Sequence, residues 1–461
     1  MSHPTASRSA SPKELRAAVQ SLMPQAREEL AELVSFKSVA DPVQFPPEEG
    51  EKAVNWLIEK LGDLGFDDVA GHETPDGSSA VVGRAAGPPG SPTVLLYSHY
   101  DVQPPLGEEE WNVPVWQLTE RAGRWYGRGA ADCKGNIVMQ LAALRALGGA
   151  GSYPVSVSFV SEGSEEQGTG GLEEFVPRHA DLLAADAILV CDTGNFAVGV
   201  PSLTTSLRGL ANVRVTVKSL GSAIHSGMFG GPAPDALAAL IRMLSSLRDE
   251  AGNTIVDGLN NTQTWRGASY PPDQFRADAR VLDDVALVGD GTISDMLWAR
   301  PAATILGIDC PPVVGSSAAI QPAARARVSL RVPPGMNAKF AQAALIDHLE
   351  RAAPWNAQVE FEREADGEPF SASTSGPAFT AMRDAMRAAY GREATMEGQG
   401  GSIPLCNVLK DAFPDAEIML IGVEEPGCLI HAPNESVDPS EIENMAITTS
   451  LFMQNYGAIT A

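Results

Sequence analysis

Four short apolar runs in this sequence each deliver histidine or carboxylate side chains at their carboxyl end. Residues 93–97 lead into His99, Tyr100 and Asp101, and residues 155–160 lead into Glu162, Glu165 and Glu166. Residues 187–191 run directly into Asp192, and residues 417–421 reach His431 through the segment 424–428. Short runs of this kind read as strands. Apolar residues at helical spacing over 13–34, 48–64, 136–147 and 377–390 predict helices between and around them. Strands alternating with helices predict an α/β sheet with a substantial parallel component. In open sheets of that class, ligands gather beyond the carboxyl ends of the strands. The chain is therefore expected to crowd one sheet edge with His, Asp and Glu. Asp132, between the turn Gly127-Arg128-Gly129 and the helix at 136–147, is placed to join them.

The texture changes near residue 207. Residues 211–218 (ANVRVTVK) and 325–332 (RARVSLRV) alternate apolar with polar positions, the pattern of strands with one wet face. Helices are predicted over 235–247 and 339–353, a further strand over 358–363, and a long Gly/Pro/Asp-rich connection over 249–315. Residues 364–375 read as a return linker, after which the first texture resumes. The expectation is an α/β sheet domain, residues 1–206 and 373–461, interrupted by a smaller α+β domain at 207–372. Residues up to about Pro12 are expected to be loose.

Of the 461 residues, 58 are acidic and 33 basic, a net charge of −25. That balance argues against nucleic acid or an anionic membrane as partner, since either needs a basic footprint. No apolar run reaches the 18 residues a membrane helix needs, and the first residues lack the apolar core of a secretory signal. Five cysteines without C-x-x-C spacing suggest neither a disulfide framework nor a cysteine zinc knot, so a cytoplasmic setting is expected.

Taken singly, each polar group has an ordinary explanation. A histidine after a strand is usually a hydrogen-bonded structural group, Asp192-Thr193-Gly194 suits a turn, and Glu165-Glu166 suits a helix start or a solvated loop. Together they are harder to explain. Many carboxylates at one edge repel one another and shift upward in pKa unless cations neutralise them. Two histidines with several carboxylates suit Zn²⁺, or Mn²⁺ or Co²⁺, better than Ca²⁺. The number of groups exceeds one hydrolytic ion's needs, which points to two ions with a bridging carboxylate. G-x-S-x-G, H-E-x-x-H and the P-loop are absent, and G-R-G-A-A-D fails the dinucleotide fingerprint at its third glycine.

The segments S-H-Y-D-V, G-R-G-A-A-D-C-K-G-N, S-E-G-S-E-E-Q-G-T-G-G-L, C-D-T, I-H-S-G-M-F-G-G, G-G-S-I-P and L-I-H-A-P-N-E occur in this order. Together they resemble the co-catalytic metallopeptidase superfamily of carnosinase-type dipeptidases, glutamate carboxypeptidase, and the acetylornithine and succinyl-diaminopimelate deacylases. The carnosinase-like branch is the most similar, through residues 225–231 and 331–334. The resemblance implies that His99 and Asp192 hold one divalent ion, Glu166 and His431 the other, and that Asp132 bridges them. It implies Glu165 as the general base acting on a metal-activated water, and Asp101 as the group orienting His99. His225 matches a lid histidine that stabilises the oxyanion, often across a dimer. Arg331 matches the arginine that clamps a terminal carboxylate, with Gly400, Gly401 and Ser402 beside it. The activity implied is hydrolysis of dipeptides or small peptides next to a free carboxylate, with N-acyl-amino-acid deacylation as the alternative. The inserted domain would then be a lid and dimerisation domain, and the chain a homodimer. Three departures bear on side-chain specificity and leave the metal ligands untouched. Gly398 and Gln399 stand where Arg-Glu is usual, and neither a threonine near Ala318 nor a histidine near Gly376 is found.

Overall fold

A computed structural model describes residues 10–149 and 151–460. It divides into two compact units: residues 1–205, 372–397 and 405–461 form the first, and residues 206–371 and 398–404 the second.

In the first unit the strands lie in the order Asp67–Glu73, Ser79–Ala85, Ser156–Glu162, Thr93–His99, Ala187–Cys191 and Glu417–Ile421. The last four are mutually parallel, so their carboxyl ends reach one edge side by side. Their centres are buried on both faces and read as continuous apolar runs, as parallel strands must. Helix Lys134–Ala146 is buried along most of its length, and its polar residues are spent on pinning it to its surroundings. Lys134 Nζ donates to the carbonyls of Leu33 and Phe36 at the end of helix Pro12–Ser35, and Gln140 Nε2 donates to Tyr97 O. Asn136 Oδ1 accepts from the Val423 amide just beyond strand Glu417–Ile421. Burial pulls Lys134 down to about 7.

The expected loose start to about Pro12 lies largely in residues 1–9, outside the described residues; Ser11 already caps the first helix. The helix Pro439–Thr460 carries no clear periodicity because it is apolar on several sides and buried in the core with Met445, Ile447 and Phe452. Among the described residues, no helix is long and apolar enough to cross a membrane.

The second unit is a four-stranded antiparallel sheet in the order Ala302–Asp309, Ala323–Val332, Gly209–Lys218, Gln358–Gly367. Strict alternation along Gly209–Lys218 buries Val213, Val215 and Val217 against helices Ala236–Ser245 and Ala338–Arg351. The opposite face carries the pairs Arg214–Glu362, Arg327–Glu364 and Lys218–Glu360, exposed contacts that each contribute little. The connection read at 249–315 is more structured than its composition suggests. It contains helix Pro272–Asp278 and strand Ala302–Asp309, and the latter escapes pattern reading because it is an edge strand exposed along most of its length. The expected linker 364–375 is partly strand, since Gln358–Gly367 outruns its apolar pattern.

One buried carboxylate ties the loop after Tyr126 to the segment that follows His431. Glu435 is fully buried and accepts from Arg128 Nη1 at 2.8 Å and from the amides of Gly129, Ala131 and Asp132 at 2.9, 3.0 and 3.1 Å. Glu435→Gln would leave the Arg128 charge buried and place an amide donor among donors. It is expected to cost about 3–5 kcal/mol of stability, read as a lowered urea midpoint.

Candidate metal centre

The four parallel strands and the loop held by Glu435 converge on a single cluster. His99 closes its strand with a fully buried side chain, and Asp192 follows the end of the neighbouring one. His99 Nε2 lies 3.0 Å from Asp132 Oδ1 and 3.0 Å from Asp192 Oδ1. His431 Nε2 lies 3.0 Å from Asp132 Oδ2 and 3.1 Å from Glu166 Oε2. Asp132 therefore presents one oxygen to each histidine. These separations approach the edge of a tetrahedron of ligands around zinc, roughly 3.3 Å for bonds of ~2.0–2.1 Å.

The surroundings fix these orientations. His99 Nδ1 faces the Asp101 carbonyl at 3.1 Å and its Oδ1 at 3.3 Å, while Asp101 Oδ2 accepts from the Glu166 amide at 3.0 Å. One carboxylate thus positions ligands of both clusters, the usual arrangement behind a metal-bound histidine. Gln103 Nε2 donates to Glu166 Oε2 at 2.7 Å. The loops beyond Cys191 and Ile421 run so close that a Cβ on Gly422 would lie 1.8 Å from Thr193 O, and one on Gly194 2.1 Å from Glu424 O. His431 sits at a φ of 61°, a strained position for a residue with a side chain. Its side chain is 53% exposed, against 9% or less for the other four, so the site opens there.

The electrostatics show an uncompensated site. Burial, then the Asp192 charge, raises Glu165 to about 10; burial and Asp132 raise Glu166 to about 7. Burial also raises Asp192. Contacts with Asp132 and Glu166 raise His431 to about 11. Burial alone would lower His99, but the acids around it outweigh that and raise it well above its ordinary value. The surrounding acids thus favour the charged form of both imidazoles. Divalent ions displace such protons and neutralise the carboxylates together, so the donor set fits a metal pair.

Two groups near the ions' positions escaped sequence reading. The Cys133 thiol lies near His99 and Asp192, but burial pushes it up and it donates to Cys191 O at 3.0 Å, so it is a neutral group engaged elsewhere. Glu424 approaches Asp132 and Asp192 with Oε1 buried and unbonded, and burial raises it well above the carboxylate range. Its place after a strand was the available signal.

His225, Arg331, Gly401 and Ser402 belong to the second unit. His225 Nδ1 accepts from the amides of Gly227 and Met228 at 3.1 and 3.2 Å, which leaves the proton on Nε2. Arg331 is half-buried, whereas Arg325 and Arg327 on the same strand are exposed and face Asp309 and Glu364. The departure at Gly398 has a packing reason, because a Cβ there would come within 2.8 Å of Trp298.

A parallel-sheet edge carrying two nitrogen and oxygen ligand sets that share one carboxylate defines a metal-dependent hydrolase. The model of peptidase family M20/M25/M40 matches residues 95–455, and the chain belongs to that family. Among its relatives, the cysteinylglycine-S-conjugate dipeptidase of Corynebacterium striatum is 44% identical over 93% of this chain and 95% of its own length. The Beta-Ala-His dipeptidase of Rattus norvegicus is 28% identical over 89% of this chain and 88% of its own. Among solved structures, human carnosine dipeptidase 1 superposes with a TM-score of 0.82 at 24% identity, covering 97% of this chain and 99% of the other.

Asp132→Ala removes the carboxylate whose two oxygens face both histidines. Elemental analysis of protein purified without chelator should then find less than half the divalent metal of the wild type.

Proposed function

We propose that this chain is a dipeptidase that uses two divalent cations to cleave the amide bond next to a free carboxylate. The observation that carries the reading is Asp132, with Oδ1 beside His99 and Oδ2 beside His431. His99 and Asp192 would hold one ion, Glu166 and His431 the other, with Asp132 between them. Zinc is the ion we favour, supported by the mixture of imidazole and carboxylate donors. What the ions supply when bound is Lewis acidity toward the scissile carbonyl and a lowered pKa for the attacking water.

Glu165 takes the proton of that water and returns it to the leaving amine. Neutralising Asp192 and Asp132 relieves the charges that, after burial, hold Glu165 protonated. Asp101 fixes the His99 ring. His225 offers an Nε2 proton to the oxyanion, and Arg331, with Gly401 and Ser402, receives the substrate carboxylate. That these relatives are dipeptidases supports dipeptides over N-acyl amino acids as this chain's substrates, and the Corynebacterium relative points to Cys-Gly S-conjugates as the preferred class. A cytoplasmic setting is supported by five free thiols.

Glu165→Gln is expected to keep both ions while kcat falls roughly 10²–10⁴-fold. The same assay should show wild type cleaving S-benzyl-Cys-Gly faster than β-Ala-His or N-acetyl amino acids. Near-wild-type turnover in the variant removes Glu165 as base, and faster acyl hydrolysis reverses the substrate assignment.

We further propose a homodimer through the inserted unit. Its edge strand Ala302–Asp309 leaves Ile305, Leu306 and Ile308 exposed, an apolar edge that a second copy can cover. Sedimentation equilibrium should give twice the chain mass, and an Ile305→Asp, Ile308→Asp variant should sediment as a monomer.

A further inference from the structure

Within the second unit lies a cavity of about 470 Å³ that the proposed chemistry does not use. Its walls include Phe275, Val285, Val288, Ile293 and Leu297, and both Val285 and Val288 are more exposed than apolar side chains usually are on a finished surface. Three arginines reach it. Arg248 donates to the carbonyls of Gly252 and Ala303, and Arg300 donates to Gln263 O and faces Asp290 and Asp295. Arg208 is different. It is 8% exposed, and neither Nε nor Nη1 has a hydrogen-bond partner among the described residues.

Burial, and then the charge of Arg331, pull Arg208 down to about 10. Arg331 stands opposite Ala302 in the sheet register, and Ala302 lines the same cavity. Arg208 itself lines the cavity, whereas Arg331 does not. A buried guanidinium without an acceptor costs stability, whereas a carboxylate satisfies it with two parallel hydrogen bonds. The cavity falls in the size range of small-molecule sites, which combine apolar walls with a few placed polar groups.

We propose that this cavity is a binding pocket for a small apolar carboxylate, with the acid on Arg208 and the apolar body between Phe275, Val288 and Leu297. The proposal does not depend on the hydrolytic reading above. The test is calorimetric titration of the metal-loaded enzyme with 4-phenylbutyrate, alongside the uncharged 4-phenyl-1-butanol. Saturable binding of one equivalent of the acid is expected, with the alcohol much weaker. Arg208→Met should weaken the acid about tenfold or more, the scale of a lost charge-assisted contact, while its urea midpoint stays at or above wild type. Val288→Trp, at an exposed position on the mouth, should block binding and decides the matter if Arg208→Met does not fold. Asp132→Ala should still bind. No saturable binding to wild type, wild-type affinity in either pocket variant, or loss of binding in Asp132→Ala would overturn the proposal.

Discussion

The metal centre depends on a carboxylate that is not part of it. Glu435 is buried beside Arg128 and gathers three amides of one loop, ending with that of Asp132 itself. An anion so placed pulls a glycine-rich turn into one conformation, because each donor would otherwise be a buried unpaired group. The same residue lies four positions beyond His431. Asp132 and His431, the more exposed of the two histidines, are thus referenced to one hydrogen-bonded unit.

Around that frame the sheet assembles a set of groups that resist one another. Asp192, Glu166 and Glu165 each sit where burial and like charge oppose ionisation, and their raised values record the cost. Structural ion pairs would relieve that strain by mixing acids with arginines or lysines. Here the positive partners within the cluster are the two imidazoles, and both are themselves good metal ligands. The arrangement is balanced only when external cations occupy it, which is why the geometry reads as a site and not as a core network.

The second unit solves a different problem. Its sheet buries one face by alternation and leaves the other to exposed ion pairs, an inexpensive scaffold on which loops can be varied. Gly398 makes room for Trp298, and Gly400 lies against the Arg208 guanidinium. The small residues near Ser402 therefore follow from what packs beneath them.

Most of the candidate site was legible in the sequence, because strand ends in a parallel sheet are topologically forced to one edge. His99, Asp192 and His431 follow strands whose apolar runs are unmistakable, and the alternation of 211–218 and 325–332 announced a second sheet with a wet face. The edge strand Ala302–Asp309 and the C-terminal helix left weaker traces, since one is exposed along most of its length and the other is apolar on several sides, so neither shows a clean period. Only the tertiary structure decided that Asp132 divides its two oxygens between the histidines, that Asp101 braces both ligand sets, and that Glu424 and Cys133 crowd in beside them. Those outcomes depend on side-chain torsions and on loops approaching within a glycine's width. Spacing along a chain fixes neither.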